Sequence, residues 1–140
     1  MYYKRAAHLT NYISCIFSSD ACDILTDSSW SDAQMHCQRN YIDLATIDEQ
    51  TDLDEMMRVI RQFHNGDVWT GLSRTDGNAP WVWSDQSPST FMPSWADGQP
   101  NNRGGTQLCA GTSLTGTFND ADCYMQYAAV CYNSDKFNLD

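Results

Sequence analysis

Four residues near the middle of the chain, Gln99-Pro100-Asn101-Asn102, are followed by a second polar run, Phe118-Asn119-Asp120. Cys109, Cys123 and Cys131 surround them. Amide and carboxylate oxygens gathered on two short segments are the donors a hard cation such as calcium takes outside the cell. A proline between two amide side chains adds a geometric option. X-Pro is the one peptide bond that turns cis at small cost, and a cis bond aims both flanking side chains at one point. Segments of this kind need elements that clamp them, and disulfides are the obvious means.

The bulk of the chain agrees with that requirement. At 140 residues it is one domain, large enough for a core and small enough to gain from covalent staples. Its six cysteines form no Cys-x-x-Cys pair and have no His-x-x-x-His partner, which favours disulfides over a zinc ribbon or redox motif. Disulfides place the chain outside the cytosol, as a secreted protein or an ectodomain fragment. A net charge of −10, with only eight scattered Lys and Arg, excludes nucleic acid and anionic membrane surfaces as partners. No apolar run approaches the ~18–20 residues of a membrane span. Met1 to Arg5 could serve as the charged start of a signal, with Ser19-Asp20-Ala21 as its cleavage site. His8, Thr10, Asn11 and Ser14 interrupt the apolar stretch such a signal needs, so a fragment or an imperfect gene start is the favoured alternative.

Helices come first along the chain. Ser28 or Ser29 can cap a helix over 28–39, in which Trp30, Ala33, Gln34 and Cys37 share one face. A second helix is expected over 48–62, with Asp48, Glu49 and Asp52 at its start and Arg58 and Arg61 at its end, as the helix dipole favours. Leu53, Met56, Met57 and Ile60 form its apolar stripe, and its acidic residues read as a solvated face. Strands follow: 68–72, 81–83, 108–110, 116–119 and 128–132, with Asp76-Gly77-Asn78 as a turn. Residues 84–106 form a long irregular loop that something must hold, calcium being one candidate. The expected class is α+β: two helices and small antiparallel sheets, with the long loop and disulfide staples. Trp69, Trp81, Trp83 and Trp95 read as core.

From Trp30 to Cys131 the ordered residues Trp30, Ala33, Cys37, Leu44-Ala45-Thr46-Ile47, Trp69-Thr70-Gly71-Leu72, Trp81-Val82-Trp83, Trp95, Gly98, Pro100-Asn101-Asn102, Cys109, Asn119-Asp120, Cys123 and Ala129-Val130-Cys131 resemble the C-type lectin-like domain family. The resemblance implies a domain over 23–133, an N-terminal segment over 1–22 (signal remnant or hairpin) and a tail over 134–140. It also implies disulfides Cys37–Cys131 and Cys109–Cys123, with Cys15 and Cys22 as an additional N-terminal pair or an intermolecular link. By the same resemblance Gln99, Asn101, Gln107, Asn119 and Asp120 are the residues that would hold calcium (Ca2+) and, through it, a sugar.

Two positions depart from the family pattern. Members of the mannose type carry Glu-Pro-Asn and those of the galactose type Gln-Pro-Asp, where this chain has Gln99-Pro100-Asn101. Gln107 stands where the family has Glu. A cage of three carboxylates is thereby reduced to Asp120 alone. At about tenfold per lost charge, affinity falls roughly a hundredfold from an extracellular range of about 10⁻⁴–10⁻³ M. The resemblance therefore implies weak, calcium-assisted binding of glycans or glycoproteins. The alternative is calcium-independent recognition of a protein or other surface ligand by the same fold. His8, His36 and His64 lie in no nucleophile motif, so an enzyme is not expected.

Overall fold

A computed structural model describes residues 24–62 and 64–132 of the chain. Cys15 and Cys22 lie outside the described residues. Strand β1 (Ile24–Ser28) leads into helix α1 (Trp30–Asn40), then β2 (Asp43–Leu44) and helix α2 (Gln50–Ile60). Strands β3 (Val68–Ser73), β4 (Val82–Trp83), β5 (Cys109–Thr112), β6 (Phe118–Ala121) and β7 (Tyr127–Tyr132) complete the described elements. The strands run in the order β1-β7-β3-β5-β6, with β2 added to β7 and β4 to β3. Every pairing is antiparallel except β3 with β7, so the sheet is mixed rather than purely antiparallel.

Both helices start where their caps dictate. Ser29 holds extended backbone geometry and its hydroxyl accepts from the Asp32 amide. At α2 the Asp52 carboxylate reaches back to accept from the amides of Asp48 and Glu49. Those two acids therefore precede the helix instead of opening it. Asp52 is fully buried, so the expectation of a solvated acidic face fails at that position. Burial pushes its carboxyl above the ordinary aspartate range, while the two amide bonds pull the other way.

Strand alternation sorts the core into two layers. Val68, Ala110, Ala128 and Val130 pack with Leu53, Met56, Met57 and Ile60 of α2. Their sequence neighbours Trp69, Cys109 and Ala129 pack with Trp30, Ala33 and Cys37 of α1. With a helix on each face, β3 is buried along nearly its whole length, as its unbroken run Val-Trp-Thr-Gly-Leu suggests. Buried polar groups are met by backbone: the Trp30 indole donates to Thr70 O (2.8 Å), that of Trp69 to Ser28 O (2.9 Å), and the Thr70 hydroxyl to Ala110 O (2.8 Å).

The two expected disulfides are present. Cys37–Cys131 ties α1 to β7 and Cys109–Cys123 ties β5 to the turn after β6, with Cα separations of 5.1 and 5.3 Å.

Protein contacts hold the long loop at several points. Ser84 donates to the buried Asp43 (2.5 Å), Ser89 to Ile47 O (2.7 Å), and the Tyr132 hydroxyl to Asp85 (2.6 Å). Trp95 bridges to Phe118, which donates its amide to Ser94 O and accepts from the Ala96 amide. Trp81, Trp95, Phe91 and Phe118 form a chain of ring contacts 5.3–6.2 Å apart. Trp69 and Trp83 are core, as expected, while Trp81 and Trp95 are only partly buried and pack against it. The loop therefore reaches residue 99 already anchored.

Candidate functional site

Asp120 is the centre of the polar segments. It sits on β6 opposite Ala110 and has no solvent exposure. Its carboxylate accepts from the amide of Asn101 (3.1 Å) at one oxygen and from that of Asn102 (2.6 Å) at the other. Those two amides follow Pro100, and the Gln99–Pro100 bond is cis. One buried carboxylate thus fixes the turn to the sheet.

Beyond it the loop closes on itself. Asn102 adopts left-handed backbone geometry, which asparagine tolerates better than most residues. Its side-chain oxygen accepts from the Gln107 amide (3.0 Å), and its carbonyl from the Gly105 amide (2.9 Å). Oε1 of Gln107 (2.8 Å) and Oδ1 of Asn101 (3.2 Å) both accept from the one amide of Arg103. These two amide oxygens therefore converge, as the sequence pattern suggested. Gln99 and Asn119 take no part in this ring of bonds. Asn119 pairs with Gly111 across the strands and is half-buried. Gln99 Oε1 is buried without a hydrogen-bond partner in the fold.

The sequence reading missed Arg74. It follows β3, and its amide donates to Leu108 O (2.9 Å) beside Gln107. Its guanidinium lies 4.5 Å from the Trp81 ring centre, donates from Nη1 to Gly77 O (3.0 Å), and comes within 3.8 Å of Asp120 Oδ2 through Nη2. Only a tenth of the side chain is exposed. The Gly77 turn completes this wall, since a Cβ on Gly77 would lie 2.5 Å from the Asn102 side-chain nitrogen. A second omission is Tyr124, which is 85% exposed. Asp122 links it to the loop, accepting from the Tyr124 amide (3.1 Å) and the Thr106 hydroxyl (3.2 Å).

These distances test whether the site suits calcium. An ion on Asp120 Oδ2 at about 2.4 Å would lie no more than about 6 Å from Arg74 Nη2. Repulsion between a double and a single charge at that range, with an effective dielectric near 20, is about 5 kcal/mol. The entire binding free energy of an ordinary extracellular site is about 4–5.5 kcal/mol. The two cations therefore exclude one another. Asp120 already has its counter-charge, both its oxygens accept amide protons, and the remaining donors are neutral amides. The donor set does not fit calcium.

The Lectin C-type domain model matches residues 26–133, and the chain belongs to that family. It is 28% identical to mouse P-selectin over 111 residues, covering 76% of this chain but only 14% of that protein. A C-type lectin mannose-binding isoform of Oxyuranus scutellatus is 32% identical over 110 residues, covering 74% of this chain and 69% of the relative. Among solved structures, human lithostathine superposes with a TM-score of 0.73 at 22% identity, over 81% of this chain and 91% of its own. A calcium-independent type II antifreeze protein superposes with a TM-score of 0.65 at 23% identity, over 79% and 82%. The two structural likenesses speak to fold alone.

Proposed function

We propose that this is a non-enzymatic, extracellular carbohydrate-binding module that meets sugar hydroxyls with the amide side chains of the loop 99–107. The observation that carries the reading is the anchoring of that loop. Asp120, buried in the sheet, fixes residues 101 and 102, so Asn101 and Gln107 project from a rigid base. Rigidity lowers the ordering cost of binding, and amides both donate to and accept from hydroxyls. Gln99 adds an acceptor that the fold leaves unmet, and turning outward onto a ligand hydroxyl would satisfy it. Asn119 and Asp120 support this surface from the strand.

Mannose-type glycans are the first ligands to test, because the 32%-identical relative is described as mannose-binding. A few amide-to-hydroxyl bonds, each contributing about 0.5–1.5 kcal/mol, give weak monovalent binding that clustering must amplify. The test is a glycan array probed with the multimerised domain, in calcium and in EDTA. Retention of a defined glycan class, lost in Asn101→Ala and Gln107→Ala, supports the reading. A folded domain that retains nothing in either buffer sinks it.

One observation favours recognition of a protein instead. A groove of about 610 Å³ beside the loop is lined by Trp81, Phe91 and Trp95, with Met92 83% and Val82 50% exposed at it. Apolar side chains of this kind are what a protein surface buries. An empty array, together with a binding partner whose affinity falls on Met92→Glu, would make this the better reading.

A further inference from the structure

We propose that Arg74 is a resident cation standing in calcium's place, so that the loop 99–107 is held, and its ligand met, without metal. Three sets of contacts fix the charge. The backbone is pinned by the Leu108 carbonyl, the guanidinium plane lies against Trp81, and Nη1 is engaged by the Gly77 carbonyl. What remains are Nε, buried without a hydrogen-bond partner, and Nη2, which faces Asp120 Oδ2. Asp120 in turn holds the amides of Asn101 and Asn102, so the cation reaches the loop through one carboxylate.

The same arrangement accounts for Gln99 and Gln107. One positive and one negative charge leave the site neutral, and neutral amides suit a neutral site. Carboxylates at those positions would add two negative charges against a single guanidinium. The three residues read as one set: Arg74 supplies the cation, and the amides at 99 and 107 leave no surplus anion to attract another. Arg74 acts as a positioning residue, since it lies beneath the loop and is almost closed to solvent. The second half of the proposal rests on the placement of ligand binding at this loop; the first half does not.

The test compares wild type with Arg74→Met, which keeps an apolar stem against Trp81 and removes the charge. Thermal unfolding is followed in about 100 mM calcium chloride and in EDTA at matched ionic strength, with calorimetric titration of calcium alone. Wild type should melt within about 1 °C of the same temperature in both buffers and give no binding heat. Arg74→Met should melt lower in EDTA and recover in calcium. A site of about 10⁻² M, the tighter end of the range left by the two lost charges, shifts the folding equilibrium about elevenfold at that concentration, or about 5 °C for a domain of this size. A loss of packing alone would not respond to calcium.

A wild-type midpoint that rises by a similar amount in calcium overturns the proposal. So does a folded Arg74→Met that stays insensitive to it. If that variant does not fold in either buffer, Arg74→Gln is measured in the same way: recovery in calcium supports the proposal, and a folded but insensitive variant overturns it, as does a wild-type dissociation constant tighter than about 10 mM. Glycan retention by wild type in calcium but not in EDTA would overturn the role of Arg74 while leaving the glycan reading intact. Calcium-insensitive melting with an empty array would support Arg74 and remove only the glycan reading.

Discussion

Replacing Asp120 by asparagine removes one charge and nothing else of consequence in size. In the native site each carboxylate oxygen accepts a backbone amide, at 3.1 and 2.6 Å. Asparagine has one oxygen, so its NH₂ must point at the amide of Asn101 or Asn102, donor against donor. The lost bond was charge-assisted, worth about 1.5–3 kcal/mol. Arg74 is also left without its counter-charge. Breaking a buried pair costs about 3–5 kcal/mol in general. Here the lower end applies, because the 3.8 Å contact is long and Arg74 keeps Trp81 and the Gly77 carbonyl. The two terms overlap, and together they come to about 3 kcal/mol.

Urea unfolding monitored by tryptophan fluorescence reads that loss directly. With a slope of about 2 kcal/mol per molar, the midpoint should fall by about 1.5 M, and melting by about 12 °C. Asp122→Asn is the control: its carboxylate is only partly buried, and the change should cost less than about 1 kcal/mol. A double-mutant cycle with Arg74→Met should show the pair losing less than the sum, by about 1 kcal/mol or more. A loss below about 1 kcal/mol in Asp120→Asn would mean that the carboxylate does not hold the loop. Zero coupling would mean that Arg74 is not its partner.

Three further outcomes follow from the same contacts. Burial raises the Asp52 carboxyl above its ordinary value, so the folded state binds its proton more tightly than the unfolded chain does. Stability from this group is therefore present below its ordinary value of 3.8 and lost as pH rises through the folded value; in urea, the stability of Asp52→Asn relative to wild type should rise as pH climbs above 3.8 and level off once the folded value is passed. Replacing Cys109 and Cys123 by alanine together should cost about 3 kcal/mol, and the Cys37–Cys131 pair about 4.7 kcal/mol, reflecting sequence separations of 14 and 94 in paired denaturation curves. Tyr124→Ala should leave melting unchanged and weaken glycan retention on a column about five- to tenfold, since its ring is solvent-facing on a turn tied to Thr106; unchanged retention would remove it from the ligand surface.

Among the described residues, both helices and five of the seven strands were legible because their signals are local. A serine cap precedes α1, a stripe of Leu53, Met56, Met57 and Ile60 runs along α2, and β3 is an unbroken buried run. β2 was not legible, because two residues, Asp43 and Leu44, are too few for a pattern and pair with β7 far along the chain. β1 pairs with the same distant strand. Asp52 misled for a related reason: three acids at a helix start read alike, and only their reach decides which is buried to cap the backbone. The long loop was recognised as needing an anchor, but its anchors are aromatic rings and hydroxyls whose partners lie in other elements.

The site divides along the same line. Gln99, Asn101, Gln107, Asn119 and Asp120 could be named from order and type, and the structure brings Asn101, Gln107 and Asp120 into one connected set. Counting carboxylates in that set gives a weak calcium site. The count omits the opposite charge, because Arg74 lies on a different strand end, with nothing local to mark it. Charge in a sequence is a sum, whereas an ion responds to charge at a distance. A guanidinium 3.8 Å from the only carboxylate of the set changes what the same five residues can bind. A loop whose acids have become amides invites reading as a decayed metal site. With Arg74 beneath it, the amides are the consistent choice, and the loop is a finished surface built on an internal ion pair.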